Sequence, residues 1–162
     1  MSSTTDMRGF TLIELMITLV LLAILVAIAV PNFTNLINQN RTQAQADELK
    51  GFLLYARSEA VSKNAVITLK IKDESPWLLQ YRGETIRQFE DTVGTVLVRT
   101  ADDEVKFRGN GTASAATFTV CEGTDNENGY YLEIQASGAT NLFARGKKDA
   151  ATPATALGNC TL

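Results

Sequence analysis

The chain contains no histidine and only two cysteines among its 162 residues. Histidine is the commonest general acid–base group and a frequent metal ligand, so its absence removes the usual means of catalysis at neutral pH. Two cysteines far apart in the sequence cannot form a structural zinc site by themselves. We therefore expect no enzymatic activity, no metal and no cofactor.

Two short motifs lack the surroundings that a ligand site would need. Asp102-Asp103-Glu104 is acidic, but a calcium loop requires ligands spaced around a turn with a suitable glycine. Gly109-Asn110-Gly111 lacks the lysine and the following helix of a phosphate-binding loop. The first motif is best interpreted as a solvated acidic turn, and the second as a turn between strands.

The chain also has little excess of charge of either sign, since its net charge is only −3 at pH 7. This argues against a globally basic nucleic-acid-binding protein but leaves room for a local basic patch. One such cluster comprises Arg145, Lys147 and Lys148, partly offset by Asp149. Three phosphate contacts would give only weak, salt-sensitive binding to DNA. We favour the simpler interpretation, a solvated flexible loop.

The sequence does contain a long apolar segment, from Phe10 to Val30, interrupted only by Thr11, Glu14 and Thr18. About 20 apolar residues match the hydrocarbon core of a bilayer, so the segment predicts a single membrane-spanning helix. A carboxylate within such a helix costs roughly 2.5–3.5 kcal/mol on insertion scales and usually marks a functional pairing. Glu14 is therefore a candidate functional residue.

The residues Gly9-Phe10-Thr11-Leu12-Ile13-Glu14 resemble the prepilin signature of type IV pilins and type II secretion pseudopilins. The resemblance implies a leader, residues 1–9, that a prepilin peptidase removes between Gly9 and Phe10. It also implies N-methylation of Phe10, with residues 10–31 kept as the transmembrane and assembly part of the helix. Glu14 of one subunit would then pair with the Phe10 amine of its neighbour, because a buried charge is tolerated only when paired.

An ordinary secretory signal peptide is the alternative, with Arg8 as its basic region and Ala27-Ile28-Ala29 as its cleavage site. The apolar run is long for such a peptide, and Glu14 would lie unpaired within it. We therefore prefer the prepilin interpretation.

Residues 32–64 predict an amphipathic continuation of the helix, with apolar residues at three- and four-residue spacing and polar residues such as Gln45 on the other face. Pro31 should kink the helix or melt it locally, because proline lacks the amide hydrogen and clashes one turn back. The helix should end near Lys63-Asn64. The predicted apolar stripe consists of Phe33, Leu36, Ile37, Ala44, Leu49, Phe52, Leu53, Ala56 and Ala60.

The segment Leu54 to Val61 is similar to the helix end of the GspH/FimT/FimU group of minor pilins and pseudopilins. Within it, Ala56 and Ala60 should allow close approach to a sheet, while Arg57 and Glu59 should face water. The group implies an α+β pilin fold, in which the long helix packs against antiparallel sheets.

Residues 65–162 predict a β-rich head, because short β-branched or alternating segments are separated by turn residues. Trp77 to Arg82 and Thr85 to Phe89 are spaced as a hairpin. The other predicted strands are Val66 to Lys72, Thr95 to Thr100, Glu104 to Arg108, Thr117 to Cys121, Tyr130 to Gln135 and Asn141 to Ala144.

Cys121 and Cys160 should form one disulfide if the head lies outside the cytoplasm, and two free thiols are the alternative. The bond would fix the irregular tail from Asp149 to Leu162. In pilins such a disulfide-closed region often contacts neighbouring subunits. The resemblance therefore implies the same contact for this chain.

The resemblance implies a minor pilin of a type IV pilus in the tip complex that primes assembly, serving adhesion and twitching motility. Its partners would be other minor pilins, the major pilin, a tip adhesin and the prepilin peptidase. It would cross the bacterial inner membrane once before assembly, contacting lipid there, and then lie extracellularly in the pilus. A GspH-like minor pseudopilin of type II secretion shares every N-terminal feature and is the first alternative.

A DNA-binding pilin for natural transformation is the second alternative. Some members of the group bind DNA through a Gly-Arg-x-Arg stretch late in the domain. The matching residues here are Gly138-Ala139-Thr140-Asn141, which lack both arginines. The resemblance therefore does not favour nucleic acid as a partner.

Overall fold

The computed structural model describes residues 10–71 and 76–160. It contains one α-helix, α1, and two antiparallel sheets, so the predicted α+β architecture is confirmed. The predicted leader, including Gly9, lies outside the described residues. The elements are α1 (Leu12–Lys63), β1 (Ile67–Lys70), β2 (Trp77–Tyr81), β3 (Glu84–Phe89), β4 (Thr92–Val93), β5 (Val96–Arg99), β6 (Glu104–Phe107), β7 (Ala116–Glu122), β8 (Asp125–Ile134) and β9 (Thr140–Leu142).

Among the described residues, those up to Ile37 form one compact unit, and those from Asn38 onward form another. In the first unit α1 runs through Pro31 without a break. The Asn32 Nδ2 donates to the carbonyl of Ile28 at 2.9 Å, and the Thr34 hydroxyl donates to that of Pro31 at 2.9 Å. The local melting considered for Pro31 is therefore not observed, and a kink there stays a prediction.

In the second unit the buried face of α1 differs from the predicted stripe. Leu49, Phe52, Leu53, Ala56 and Ala60 are buried as predicted. The stripe is wrong at its start, because Ala44 is exposed whereas Thr42, Gln45 and Ala46 are buried.

Gln45 can be buried because its side-chain amide is satisfied. The amide donates to the carbonyl of Glu90 at 2.6 Å, just beyond the end of β3. Burying a polar group costs little free energy when the group has a good hydrogen bond. A prediction from apolar periodicity alone therefore assigned the wrong face of this helical turn to the core.

The two sheets have the strand orders β3-β2-β1-β6 and β4-β5-β7-β8-β9, and every pairing is antiparallel. The predicted β2–β3 hairpin is confirmed, with Arg82 and Gly83 between the paired Tyr81 and Glu84. Two features were not predicted. The two-residue strand β4 is shorter than a pattern can reveal, and β8 begins at Asp125 rather than at Tyr130.

Aromatic rings connect α1 to both sheets. Phe52 of α1 lies 5.2 Å from Phe89 of β3, ring centroid to centroid, and Phe89 lies 5.6 Å from Trp77 of β2. Trp77 in turn lies 5.8 Å from Phe118 of β7 in the second sheet. All four side chains are buried in one hydrophobic core, so the helix and the two sheets share a single apolar interior.

A disulfide joins Cys121 of β7 to Cys160, as predicted. Both cysteines are buried with Leu157 in a second, smaller cluster against Tyr131. Gly129 of β8 makes this packing possible, because a Cβ there would lie 2.7 Å from the Cys121 sulfur.

We expect the double substitution of Cys121→Ser and Cys160→Ser to lower the free energy of unfolding by about 2–4 kcal/mol, because the bond closes a long loop. Urea unfolding of the full chain in detergent, followed by the fluorescence of Trp77, measures this change. Wild-type protein with reductant is the control and should unfold like the double variant. Equal unfolding free energies for the oxidised wild type and the variant would contradict the expectation.

Candidate functional site

The start of α1 holds Glu14 beside the predicted new N-terminus. The backbone N–H of Glu14 donates to the Thr11 hydroxyl at 3.3 Å, so Thr11 caps the helix. Glu14 then lies in the first turn, where the helix dipole favours a negative charge. Phe10, which precedes the helix, is 84% exposed.

The Glu14 carboxylate is exposed, and within residues 10–71 and 76–160 no ion pair is recorded for it. Thr18 is different, because its hydroxyl donates to the carbonyl of Leu15 at 2.8 Å and is satisfied inside the helix. Glu14 is thus the charged group of this segment that is available to a cation from another molecule.

The apolar side chains that follow Glu14 are all exposed. The helix is long and apolar enough to cross a membrane, with 0% of the apolar window buried. A contiguous apolar surface of this size marks contact with lipid or protein. The exposed large residues are Leu12, Ile13, Leu15, Met16, Ile17, Leu19, Val20, Leu21, Leu22, Ile24, Leu25, Val26, Ile28 and Val30.

The basic cluster considered for DNA contact is held by local hydrogen bonds. The Arg145 guanidinium donates to the Gln39 side chain at 2.8 Å and to the Tyr130 hydroxyl at 3.4 Å. The backbone N–H of Lys147 donates to the carbonyl of Ala144 at 2.9 Å, and Lys148 is exposed. Arg145 therefore already has partners on α1 and β8, whereas the Lys148 side chain is exposed. Contact of the cluster with DNA stays a prediction.

The irregular segment that begins at Asp149 is held by hydrogen bonds to the carboxylate of that residue. The Asp149 carboxylate accepts the N–H groups of Thr155 at 2.8 Å and Ala151 at 3.1 Å. Hydrogen bonds from the Thr155 side chain and backbone, in that order, lower the pKa of Asp149.

Gly138, at the start of the segment compared with the Gly-Arg-x-Arg stretch, has a packing role. Gly138 has a φ of +80°, and a Cβ there would lie 2.0 Å from the carbonyl oxygen of Gly111. The prediction that Arg57 faces water is wrong: it is half-buried, and its Nε donates to this same carbonyl at 2.9 Å. Its Nη2 donates to the carbonyl of Ser137 at 3.4 Å. A helix arginine thus fixes two turns of the head.

No group of three metal-ligating side chains occurs in the part of the chain that the structure describes. Of the predicted acidic turn, Glu104 is instead the first residue of β6, and its carboxylate pairs with the ammonium groups of Lys106 and Lys70. Hydrogen bonds from Lys106, then from Lys70, lower the pKa of Glu104 to about 2. Lys70, Glu104 and Lys106 thus form an ion-pair cluster across the paired strands β1 and β6.

Comparison with known proteins places these features in one family. Residues 45–138 match the family described as type II transport protein GspH, and residues 5–30 match the prokaryotic N-terminal methylation motif. No curated protein matches the chain.

Three solved structures are similar. Two are crystal structures of the type IV minor pilin FimU from Pseudomonas aeruginosa, each 26% identical. The first has a TM-score of 0.59 and covers 69% of this chain and 95% of that one. The second has a TM-score of 0.56 and covers 67% and 98%. The third is the minor pseudopilin EpsH from the type 2 secretion system of Vibrio cholerae, with 12% identity, a TM-score of 0.49, and coverage of 64% and 96%.

Glu104 should make stability depend on pH. Its pKa in the folded protein lies below the ordinary 4.5, so its contribution is present above pH 4.5 and is lost as the pH falls toward 2. We expect wild type to be more stable than Glu104→Gln at neutral pH, with the difference vanishing in acid. Thermal unfolding of both proteins across this pH range measures it.

The matched control is Glu84→Gln, on the opposite edge strand of the same sheet, for which the described residues contain no ion pair. This control should match wild type at neutral pH. A constant gap between wild type and Glu104→Gln at every pH would contradict the expectation.

Proposed function

This chain belongs to the GspH family of type II transport proteins, and we propose that it is the member of a tip complex that primes a type IV pilus. The family comprises minor pilins and pseudopilins, which are structural subunits rather than enzymes. Such subunits assemble with other pilins in a pilus or pseudopilus.

The observation that carries the proposal is the likeness to FimU. That protein is a type IV minor pilin, and the match extends over 95% of its chain at 26% identity. The methylation motif at residues 5–30 and the exposed apolar half of α1 agree with insertion into a membrane followed by packing in a filament.

The proposed path begins with single-pass insertion of residues 10–31 in the bacterial inner membrane. A prepilin peptidase would cut between Gly9 and Phe10, and Phe10 would be N-methylated. The exposed apolar side chains of α1 can face lipid first and neighbouring helices later, because both surroundings are apolar. The subunit would finally lie extracellularly at the pilus tip, beside other minor pilins, the major pilin and an adhesin, in support of adhesion and twitching motility.

Glu14 favours the movement of the subunit from the membrane into the filament. In hydrocarbon an unpaired carboxylate is costly, whereas next to the cationic Phe10 amine of another subunit it is compensated. Because Glu14 lies in the first turn of α1, the pairing would fix the axial position of one subunit against the next.

A minor pseudopilin of type II secretion is the second candidate. The description of the matching family as a type II transport protein favours it, and it would use the same helix and the same pairing. The head surface would then meet other pseudopilins instead of minor pilins.

We expect Glu14→Ala to be processed normally but to enter sheared filaments at least about tenfold less than wild type, since losing one partner of a buried ion pair is strongly unfavourable. Immunoblots of membrane and sheared fractions measure both steps. Thr18→Val is the matched control, because the Thr18 hydroxyl is already satisfied within the helix.

Gly9→Val is the processing control and should leave full-length precursor in the membrane. Normal entry of Glu14→Ala into filaments would refute the pairing role.

The proposed tip role predicts that an in-frame deletion of the gene causes a steep loss of surface pili, restored by complementation. Electron microscopy of negatively stained cells counts the filaments. Normal piliation together with loss of a secreted protein from the medium would instead assign the chain to a secretion pseudopilus.

A further inference from the structure

We propose that an open cleft on the outer face of the first sheet binds an acidic segment of a neighbouring subunit. This outer cleft has a volume of about 500 Å³. The inference rests on the proposed function, because it takes the partner from the filament. The cleft is lined by Ala65, Val66, Thr68, Lys70, Gln80, Tyr81, Arg82, Gly83, Glu104 and Lys106.

Positive charge is concentrated in the outer cleft, although the chain as a whole has a net charge of −3. Lys70 and Lys106 share one carboxylate, that of Glu104, so one of these charges is not neutralised. Arg82 lies over the ring of Tyr81 at 5.2 Å from its centroid. Among the described residues no ion pair is recorded for Arg82. The cleft thus offers cations beyond those that its own carboxylate uses.

Arg82 occupies a backbone position that disfavours arginine. Arg82 and Gly83 have φ values of +52° and +86° in a two-residue hairpin turn. Such turns favour asparagine followed by glycine, because few other residues adopt positive φ easily. A costly conformation at the rim of a charged cleft points to a use for the side chain rather than for the turn.

The chemistry of the outer cleft suits a carboxylate. Glu104 already shows that Lys70 and Lys106 can hold one between them, and the planar guanidinium of Arg82 can donate two parallel hydrogen bonds to another.

The borders of the outer cleft disfavour a long polyanion. Glu84 follows the Arg82-Gly83 turn directly, and Glu59 pairs with Lys63, whose ammonium lies 5.5 Å from the centroid of the Tyr81 ring. The Glu84 carboxylate, for which the described residues contain no ion pair, would repel a nucleic-acid strand that extended past this turn. A short protein segment with a few acidic side chains could instead bind Arg82 and the lysine charge that Glu104 leaves unneutralised. In the proposed filament such a segment comes from an adjacent subunit.

The test is peptide binding by the full chain in detergent. The probe is a fluorescent octapeptide of alternating Glu and Ser, and fluorescence anisotropy measures its dissociation constant. We expect salt-sensitive binding that Arg82→Asn weakens by about tenfold, since a hydrogen bond to a charged group is lost. Asparagine is well suited to the turn, so this variant should fold as stably as wild type or more so.

The matched control variant is Arg87→Gln. Arg87 is also stacked on an aromatic ring of the same unit, 4.8 Å from the centroid of Tyr55, but it does not line the outer cleft. It should bind the peptide like wild type. An octapeptide with Gln in place of Glu controls for the backbone and should bind neither protein.

Three results would overturn the proposal. They are no binding of the Glu peptide by wild type, equal binding by wild type and Arg82→Asn, and preferential binding of a single-stranded oligonucleotide. Glu14→Ala separates this inference from the proposed function, because it should fail to enter filaments yet bind the peptide normally. If the protein binds the peptide but its deletion leaves the number of pili unchanged, the outer cleft is still a binding site for acidic segments, and the proposed role in the pilus is wrong.

Discussion

The contact between Phe52, Phe89, Trp77 and Phe118 is the constraint on which the head depends. These rings carry the core from the helix through the first sheet to the second, with centroid separations of 5.2 to 5.8 Å. Aromatic pairs at such distances contribute about 0.5–1.5 kcal/mol each beyond the area they bury. Because one ring lies on the helix and the others on three different strands, their packing sets the position of both sheets along the second half of α1.

Once the sheets are fixed in this way, polar contacts from the helix determine where the connecting segments lie. Gln45 binds the carbonyl of Glu90 after β3, and Arg57 binds the turns at Gly111 and Ser137. Neither contact adds apolar burial. Gln45 instead satisfies its own buried amide, which would be costly without a partner, and Arg57 ties two turns of the head to the helix. The amphipathic half of α1 therefore supports the head through its polar residues as well as through its apolar stripe.

Much of the architecture could be predicted from the sequence, because the signals were local. Alternation identified the β2–β3 hairpin, and the end of the helix at Lys63 followed from the change of period. The predictions failed where a tertiary contact overrides local polarity. The sequence pattern predicts Gln45 and Arg57 on the water-facing side of the helix, but the side chain of each donates a hydrogen bond to a backbone carbonyl far along the chain.

The functional residues also divide into those that form a local sequence motif and those that only the fold brings together. The motif around Gly9, Phe10 and Glu14 is continuous in sequence, and the methylation-motif match spans it. The outer cleft could not be predicted, because Lys70, Arg82 and Lys106 meet only through the pairing of β1 with β2 and β6. Their individual positions in the sequence carry no common pattern. The positive φ of Arg82, which draws attention to the cleft, is a property of the folded backbone alone.

The close approach of Gly129 to the Cys121 sulfur also restricts how this sequence can change over time. The sulfur is fixed by its bond to Cys160, so it cannot move aside for a side chain at position 129. A lineage that keeps the bond must keep the glycine, and a first substitution at any of these three positions is unfavourable while the others remain. If both cysteines are lost, the nearest obstacle at position 129 is removed, and Leu157 and the Asp125 carbonyl, at 3.0 and 3.2 Å from an added Cβ, are left as its close neighbours. Cys121, Gly129 and Cys160 thus behave as one inherited unit, although they lie on separate segments of the chain.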